Sequence, residues 1–176
     1  LTKETAKALI PVAGVPMLER ILLRLQAAGA DSFVVNVHHH AHKVADFCAD
    51  LSRRQAVPVS VSREDDLLLD TGGALKKASA LLRGREPFFI HNADILADID
   101  LKALYAAHVE NGSLVTLSVR ERESVRAYLF DAKGRFVGHD DRKSDRTTWA
   151  KGAVPNAQRL PFDGIHVVSP SLLDRI

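Results

Sequence analysis

The chain has 176 residues, enough for one domain with a sizeable core. Hydrophobic residues make up 46% of it and charged residues 26%, which excludes a disordered or low-complexity protein. Twenty-four basic against 22 acidic side chains leave a net charge of +2, so no cationic excess points to nucleic acid or an anionic membrane, and any anionic ligand must be met locally.

Pro16 stands where a first helical residue is favoured, and Leu18, Ile21, Leu22, Leu25 and Ala28 follow at helical spacing up to Gly29. Ser32–Val37 is nearly unbroken in hydrophobicity, as a strand covered on both faces should be. A helix is expected over roughly Ala41–Arg53 and a short alternating strand over Val57–Val61. After a polar loop, Gly73–Leu82 reads as a helix and Pro87–Ile90 as the next strand. Asp100 is placed to cap a helix reaching about Asn111, on which Leu101, Leu104, Tyr105 and His108 share a face, and Leu114–Val119 is the strand beyond. The rhythm then changes to a hairpin, Ala127–Phe130 and Arg135–Val137 around the turn Asp131-Ala132-Lys133-Gly134. Asp140 to Asn156 reads as a polar loop or flap carrying Trp149, which either lies exposed over a ligand or is buried against the sheet. Phe162–Val168 returns as a strand before Pro170 opens a last helix.

There is no internal repeat and no linker, so the expectation is a single doubly wound, mostly parallel α/β domain with an antiparallel hairpin addition. In such sheets ligands bind outside the carboxyl ends of the strands. No apolar run approaches the roughly 18 residues of a membrane span, and the first residues lack the hydrophobic region of a signal peptide. The lone Cys48 cannot form an internal disulfide, which fits a reducing compartment, the cytoplasm.

Three constellations could carry chemistry. In His91-Asn92-Ala93-Asp94, after the strand at 87–90, a carboxylate is suited to bind Mg²⁺ together with substrate phosphates, although a strand-end Asp also serves as a turn residue or cap. In Leu69-Asp70-Thr71-Gly72-Gly73, glycines let a ligand approach the backbone and a helix start offers free N–H groups; the alternative is an ordinary turn capped by Asp70 or Thr71. Lys7 is either a solvated charge or a point-charge partner for phosphate.

Taken in order, Leu1-Thr2, Lys7-Ala8-Leu9-Ile10-Pro11-Val12-Ala13-Gly14-Val15-Pro16-Met17-Leu18, Val35-Asn36-Val37-His38, Leu69–Leu75, Asn92-Ala93-Asp94 and Phe162–Val167 resemble the sugar nucleotidylyltransferase family over nearly the whole chain. The resemblance implies a Rossmann-like nucleotidyltransferase fold and the joining of an NTP, GTP or UTP by the form of the glycine segment, to a sugar 1-phosphate with release of pyrophosphate. It assigns Lys7 to phosphate contact and Asp94 to Mg²⁺. Thr71, Gly72 and Gly73 fall to the nucleoside, Asn92 and Gly164 to the sugar phosphate, and Glu64 to reading the base. No covalent intermediate is implied, and an oligomer is compatible.

The sequence departs from the pattern in four respects. Ala93 and Ala6 replace a usual Gly and Pro, and the family's glycine-rich loop and its C-terminal segment with a second metal-binding aspartate are expected outside these residues. A chain lacking both segments is expected to turn over little. Two other readings stand beside the main one: a catalytically inactive, nucleotide-binding regulatory relative, and a metal-dependent glycosyltransferase of related architecture, for which Asp98-Ile99-Asp100 has the Asp-x-Asp form. His38-His39-His40 with His42 invites a metal site, but adjacent residues seldom converge on one centre, and a strand end facing a cleft is the plainer reading.

Overall fold

A computed structural model describes residues 5–64, 69–82 and 84–176. Leu1-Thr2 of the family-like segment lie outside them, as does the side chain of Asp70. The chain packs as two compact units, Leu1–Thr116 with His166–Ile176, and Leu117–Ile165.

The first unit opens with a 3-10 turn, Lys7–Leu9, and a two-residue hairpin of β1 (Pro11–Val12) and β2 (Val15–Pro16). Ala13 and Gly14 turn the hairpin with φ of 49° and 80°. Helix α1 is Met17–Ala27, so Pro16 sits one place before the first helical residue. Its apolar stripe is as expected: Leu18, Ile21, Leu22 and Leu25 are each at most 6% exposed. Burying each such side chain contributes on the order of 1.5–3 kcal/mol before the entropy of ordering it.

Strand β3 (Phe33–Val37) pairs in parallel with β4 (Val59–Arg63), and α2 (Ala41–Gln55) is the crossover between them. Burial along β3 alternates, with Phe33, Val35 and Val37 buried and Asn36 exposed, so the strand is not covered evenly on both faces. Helix α2 buries Val44, Cys48 and Leu51. At 0% exposure the Cys48 thiol is pushed up to about 11 by burial, which leaves it an inert core residue. Arg54 near the end of α2 meets Glu19 of α1 at 3.0 Å and Asp50 at 2.8 Å, a rim ion pair across two helices.

Helix α3 (Asp70–Ala78) begins three residues earlier than its glycines suggested. Beyond it come β5 (Phe88–His91), α4 (Leu101–Glu110) and β6 (Val115–Val119). β11 (Phe162–Val168) lies between β5 and β6 in a three-stranded sheet. Val167 and Val168 are 0% exposed, as a central strand requires. The last expected helix is only a 3-10 turn, Pro170–Leu172.

A polar cluster lies inside this unit. His108 of α4, 1% exposed, is 2.9 Å from Thr116 Oγ1 through Nδ1 and 2.9 Å from Ser169 Oγ through Nε2. Because Ser169 donates its own proton to the Ser113 carbonyl at 2.7 Å, Nε2 carries the histidine proton and Thr116 donates to Nδ1. Burial lowers the pKa of His108 and takes that of His166 on β11 down to about 4. In the unfolded chain both rings recover the ordinary 6.5. Below that pH the unfolded state binds protons that the folded state refuses, so stability present above pH 6.5 is lost as pH falls toward 4. Urea unfolding between pH 7.5 and 4 is expected to show a slope of up to about 1.4 kcal/mol per pH unit per histidine, and His108→Gln should flatten it.

The second unit is antiparallel. β7 (Arg126–Phe130) and β8 (Phe136–Asp141) form the expected hairpin, with Asp131 Oδ1 accepting from the N–H groups of Lys133 and Arg135, each at 2.9 Å. The expected polar flap is structured in part. Arg146–Trp149 is β9, paired with β8, and Gln158–Leu160 is β10, paired with β7, giving the order β10-β7-β8-β9. Asp140 knits these strands by accepting from Arg159 Nε at 2.7 Å and Thr147 Oγ1 at 3.0 Å. Arg159 also donates to the carbonyls of Ser124 and Val125.

Candidate active site

Lys7 leads its 3-10 turn, whose backbone bonds run from Leu9 N–H to Ala6 O (2.9 Å) and from Ile10 N–H to Lys7 O (3.1 Å). The ammonium is exposed and has no ion pair among the described residues. Asp94 follows β5 in a turn closed by Ile95 N–H to Asn92 O at 3.3 Å. Its carboxylate is exposed and accepts from no side chain or peptide among the described residues. The connector beyond it is anchored to α1, because Arg24 donates to the carbonyls of Ala97 and, at 3.0 Å, Ile99. Asp100 caps α4 as expected, its Oδ1 accepting from Ala103 N–H at 3.0 Å, so this oxygen of the Asp-x-Asp pair is already engaged.

Lys7 and Asp94 line one cleft of about 570 Å³, together with Asn36, His38, His39 and His40 from the end of β3. The histidines therefore face a cleft, as the plainer reading held. Among the described residues no group of three or more histidine, cysteine or carboxylate side chains is arranged to hold a metal.

Glu64 lies one residue past β4 and is 1% exposed. Its Oε1 accepts from Asn36 Nδ2 at 2.8 Å and its Oε2 from the peptide N–H of Leu69 at 3.0 Å. Its peptide N–H donates to Val37 O at 2.8 Å, and its carbonyl receives His38 Nδ1 at 2.6 Å. Burial raises the carboxyl pKa, but the donors from Leu69 and Asn36 outweigh it and hold the group below its ordinary value. The side chain expected to read a base is turned inward and bonded at both oxygens. Nothing in the local sequence signalled this, since its partner Asn36 stands 28 residues earlier.

Thr71, Gly72 and Gly73 occupy the first turn of α3, preceded by Leu69 at the cap position without a side-chain cap. Neither Asp70 nor Thr71 is the cap. The two glycines differ: a Cβ on Gly72 would meet nothing within 4 Å, whereas one on Gly73 would fall 2.9 Å from Leu69 Cβ. Gly73→Ala must therefore displace Leu69 and strain its N–H bond to Glu64, and a loss of about 1–2 kcal/mol is expected in urea unfolding. Gly72→Ala is expected to keep or raise stability by up to about 1 kcal/mol while weakening nucleotide binding, read by calorimetry. Asn92 is exposed beside Asp94 but does not line the cleft. Gly164 belongs to the second unit and holds φ of +76°, a conformation that favours glycine.

A resident metal fits what Asp94 offers. An exposed carboxylate with no internal partner, in a cleft with one lysine, suits Mg²⁺, which keeps several waters and shares its shell with substrate phosphates.

Comparison with known proteins is consistent with this geometry. Mannose-1-phosphate guanylyltransferase 1 of Arabidopsis thaliana is 25% identical across 177 residues, covering all of this chain and 47% of that protein. N-acetylmuramate alpha-1-phosphate uridylyltransferase of Caulobacter vibrioides is 41% identical over 95 residues, 53% of this chain and 39% of that one. The chain thus spans about half the length, or less, of the curated relatives it matches. Among solved structures, HddC from Yersinia pseudotuberculosis superposes with a TM-score of 0.75 at 17% identity, covering 100% of this chain and 72% of that one. The same protein complexed with GMP-PN gives 0.74 at 18% identity, covering 98% and 71%. These likenesses establish the fold. The nucleotidyl transferase family model matches residues 1–128, and the chain belongs to that family.

Proposed function

We propose that the chain forms the nucleotide- and sugar-phosphate-handling part of an enzyme that joins an NTP, GTP or UTP by preference, to a sugar 1-phosphate. The observation that carries this reading is the single cleft lined by both Lys7 and Asp94. A phosphate oxygen of the sugar 1-phosphate attacks the α-phosphorus of the NTP; the new P–O bond forms as the α–β bond breaks, and pyrophosphate leaves with the electron pair. No protein nucleophile is needed, so the residues position and neutralise. The Lys7 ammonium lies against the phosphates, the backbone at Gly72 against the nucleoside, and Asn92 toward the sugar phosphate. Mg²⁺ held at Asp94 supplies charge neutralisation of the crowded phosphate oxygens.

The likeness to guanylyl- and uridylyltransferases supports the substrate class. Among the described residues no helix is long and apolar enough to cross a membrane, which accords with a cytoplasmic reaction. The engaged Asp100 counts against the Asp-x-Asp glycosyltransferase reading. The experiment is pyrophosphate release across NTPs and sugar 1-phosphates. Release that needs Mg²⁺ and both substrates is the expected result. Tight nucleotide binding without release would instead favour the regulatory relative, and transfer from a nucleotide-sugar would favour the glycosyltransferase.

A further inference from the structure

His38 is the one cleft histidine whose tautomer the structure settles. A carbonyl oxygen only accepts, so the 2.6 Å contact to Glu64 O requires a proton on Nδ1, and in the corresponding neutral tautomer Nε2 carries a lone pair. Nε2 makes no hydrogen bond to the protein among the described residues, and the ring lines the cleft that holds Lys7 and Asp94. The His39 ring stands edge-on at 4.6 Å, limiting rotation away from that position. The carbonyl that holds His38 is itself held. Glu64 is fixed by the hydrogen bond from its peptide N–H to Val37 O of β3 and by two hydrogen bonds to its buried carboxylate, from Asn36 and from the start of α3. One residue therefore braces a cleft side chain and the glycine-bearing helix start together.

We propose that His38 contacts substrate through Nε2, accepting a hydrogen bond from a sugar hydroxyl, and that Glu64 is the positioning residue for it; this rests on the reading of the cleft as a nucleotide-sugar-forming site. The chemistry follows from the lone pair: ionised phosphates have no proton to give, whereas sugars do. Two sources share it, the ribose of the nucleotide and the sugar of the sugar 1-phosphate.

The test is a pair of substitutions that divide the imidazole. His38→Asn places an amide near Nδ1 and keeps the tie to Glu64 but does not reach Nε2; His38→Gln does the reverse. In the full protein, His38→Asn is expected to raise one substrate KM about tenfold, the loss of one hydrogen bond, while His38→Gln stays within about threefold of wild type. If the NTP is affected and 2′- or 3′-deoxy NTPs are not, the donor is the ribose; if the sugar 1-phosphate is affected, the donor is its sugar. Wild-type behaviour of His38→Asn with loss in His38→Gln would reduce the ring to a structural tie and overturn the proposal, as would a fall in kcat with both KM values unmoved.

Glu64→Gln retains an acceptor for Leu69 N–H and, after an Asn36 amide flip, a second bond. It should leave the GTP-to-UTP preference within about twofold. A larger shift would make Glu64 a base contact and overturn its positioning role. Calorimetric titration of GTP, UTP and mannose 1-phosphate separates the two readings. Binding without pyrophosphate release fails the functional reading alone, a Kd unmoved by His38→Asn fails this proposal, and absence of all binding overturns both.

Discussion

Asp94→Asn is expected to lower the rate of pyrophosphate release on the order of 10²–10³-fold or more while leaving the thermal midpoint within about 1–2 °C of wild type. The two halves of the prediction have separate causes. Asn has the size and shape of Asp, and the native carboxylate is exposed without an internal partner among the described residues, so folding has nothing to lose. The same substitution removes the only carboxylate that lines the Lys7 cleft among the described residues, and with it the charge that would hold Mg²⁺ against substrate phosphates. Raising Mg²⁺ should recover part of the rate if the carboxylate acts through the metal. Unchanged release in the variant would remove Asp94 from the metal role.

Gly138→Ala should produce the largest loss of stability, about 2–3 kcal/mol, confined to the second unit. Gly138 faces Trp149 in the β8–β9 register, and an added Cβ would fall inside the van der Waals surface of the Thr148 carbonyl oxygen and 3.2 Å from Trp149 Cα. Both obstacles are backbone, and both are held by the β8–β9 ladder, so relief requires the strands to separate. Hydrogen exchange should show protection lost along β9 before any change around α1 and α2. Gly134→Ala makes a useful comparison. Its φ of +70° strains any L residue by about 1–2 kcal/mol, but a Cβ there meets nothing within 4 Å, so the two glycines separate conformational strain from collision.

Several of these features were legible in residue order and several were not. The helical stripe from Leu18 to Leu25 was plain because an apolar face of one helix is a local pattern, and Asp100 as a cap was plain for the same reason. The start of α3 was hidden because paired glycines read as a turn, yet here they occupy a first turn in which the cap is a leucine with its N–H given to a glutamate five residues back. Strand β9 was hidden because Arg146, Thr147 and Thr148 are all exposed: an edge strand without a buried face shows no alternation. Lys7 and Asp94 as a pair were suggested by motif order and brought to one cleft by the fold. Glu64, His38 and His108 each required a distant partner, Asn36 at 28 residues, Glu64 at 26 and Ser169 at 61, distances over which periodicity carries no information.

Arg24 has a consequence for motion. Its guanidinium fork, set in the last turn of a well-packed helix, grips the carbonyls of Ala97 and Ile99 in the connector that follows Asp94. The aspartate's segment is thus tethered to a rigid body, and its fluctuations follow those of α1 rather than those of a free surface loop. Arg24→Lys would exchange a planar two-pronged grip for a single swivelling charge. The carboxylate should then wander while the Lys7 and β3 side of the cleft stays in place, so that catalysis becomes sensitive to temperature and viscosity while nucleotide affinity stays the same.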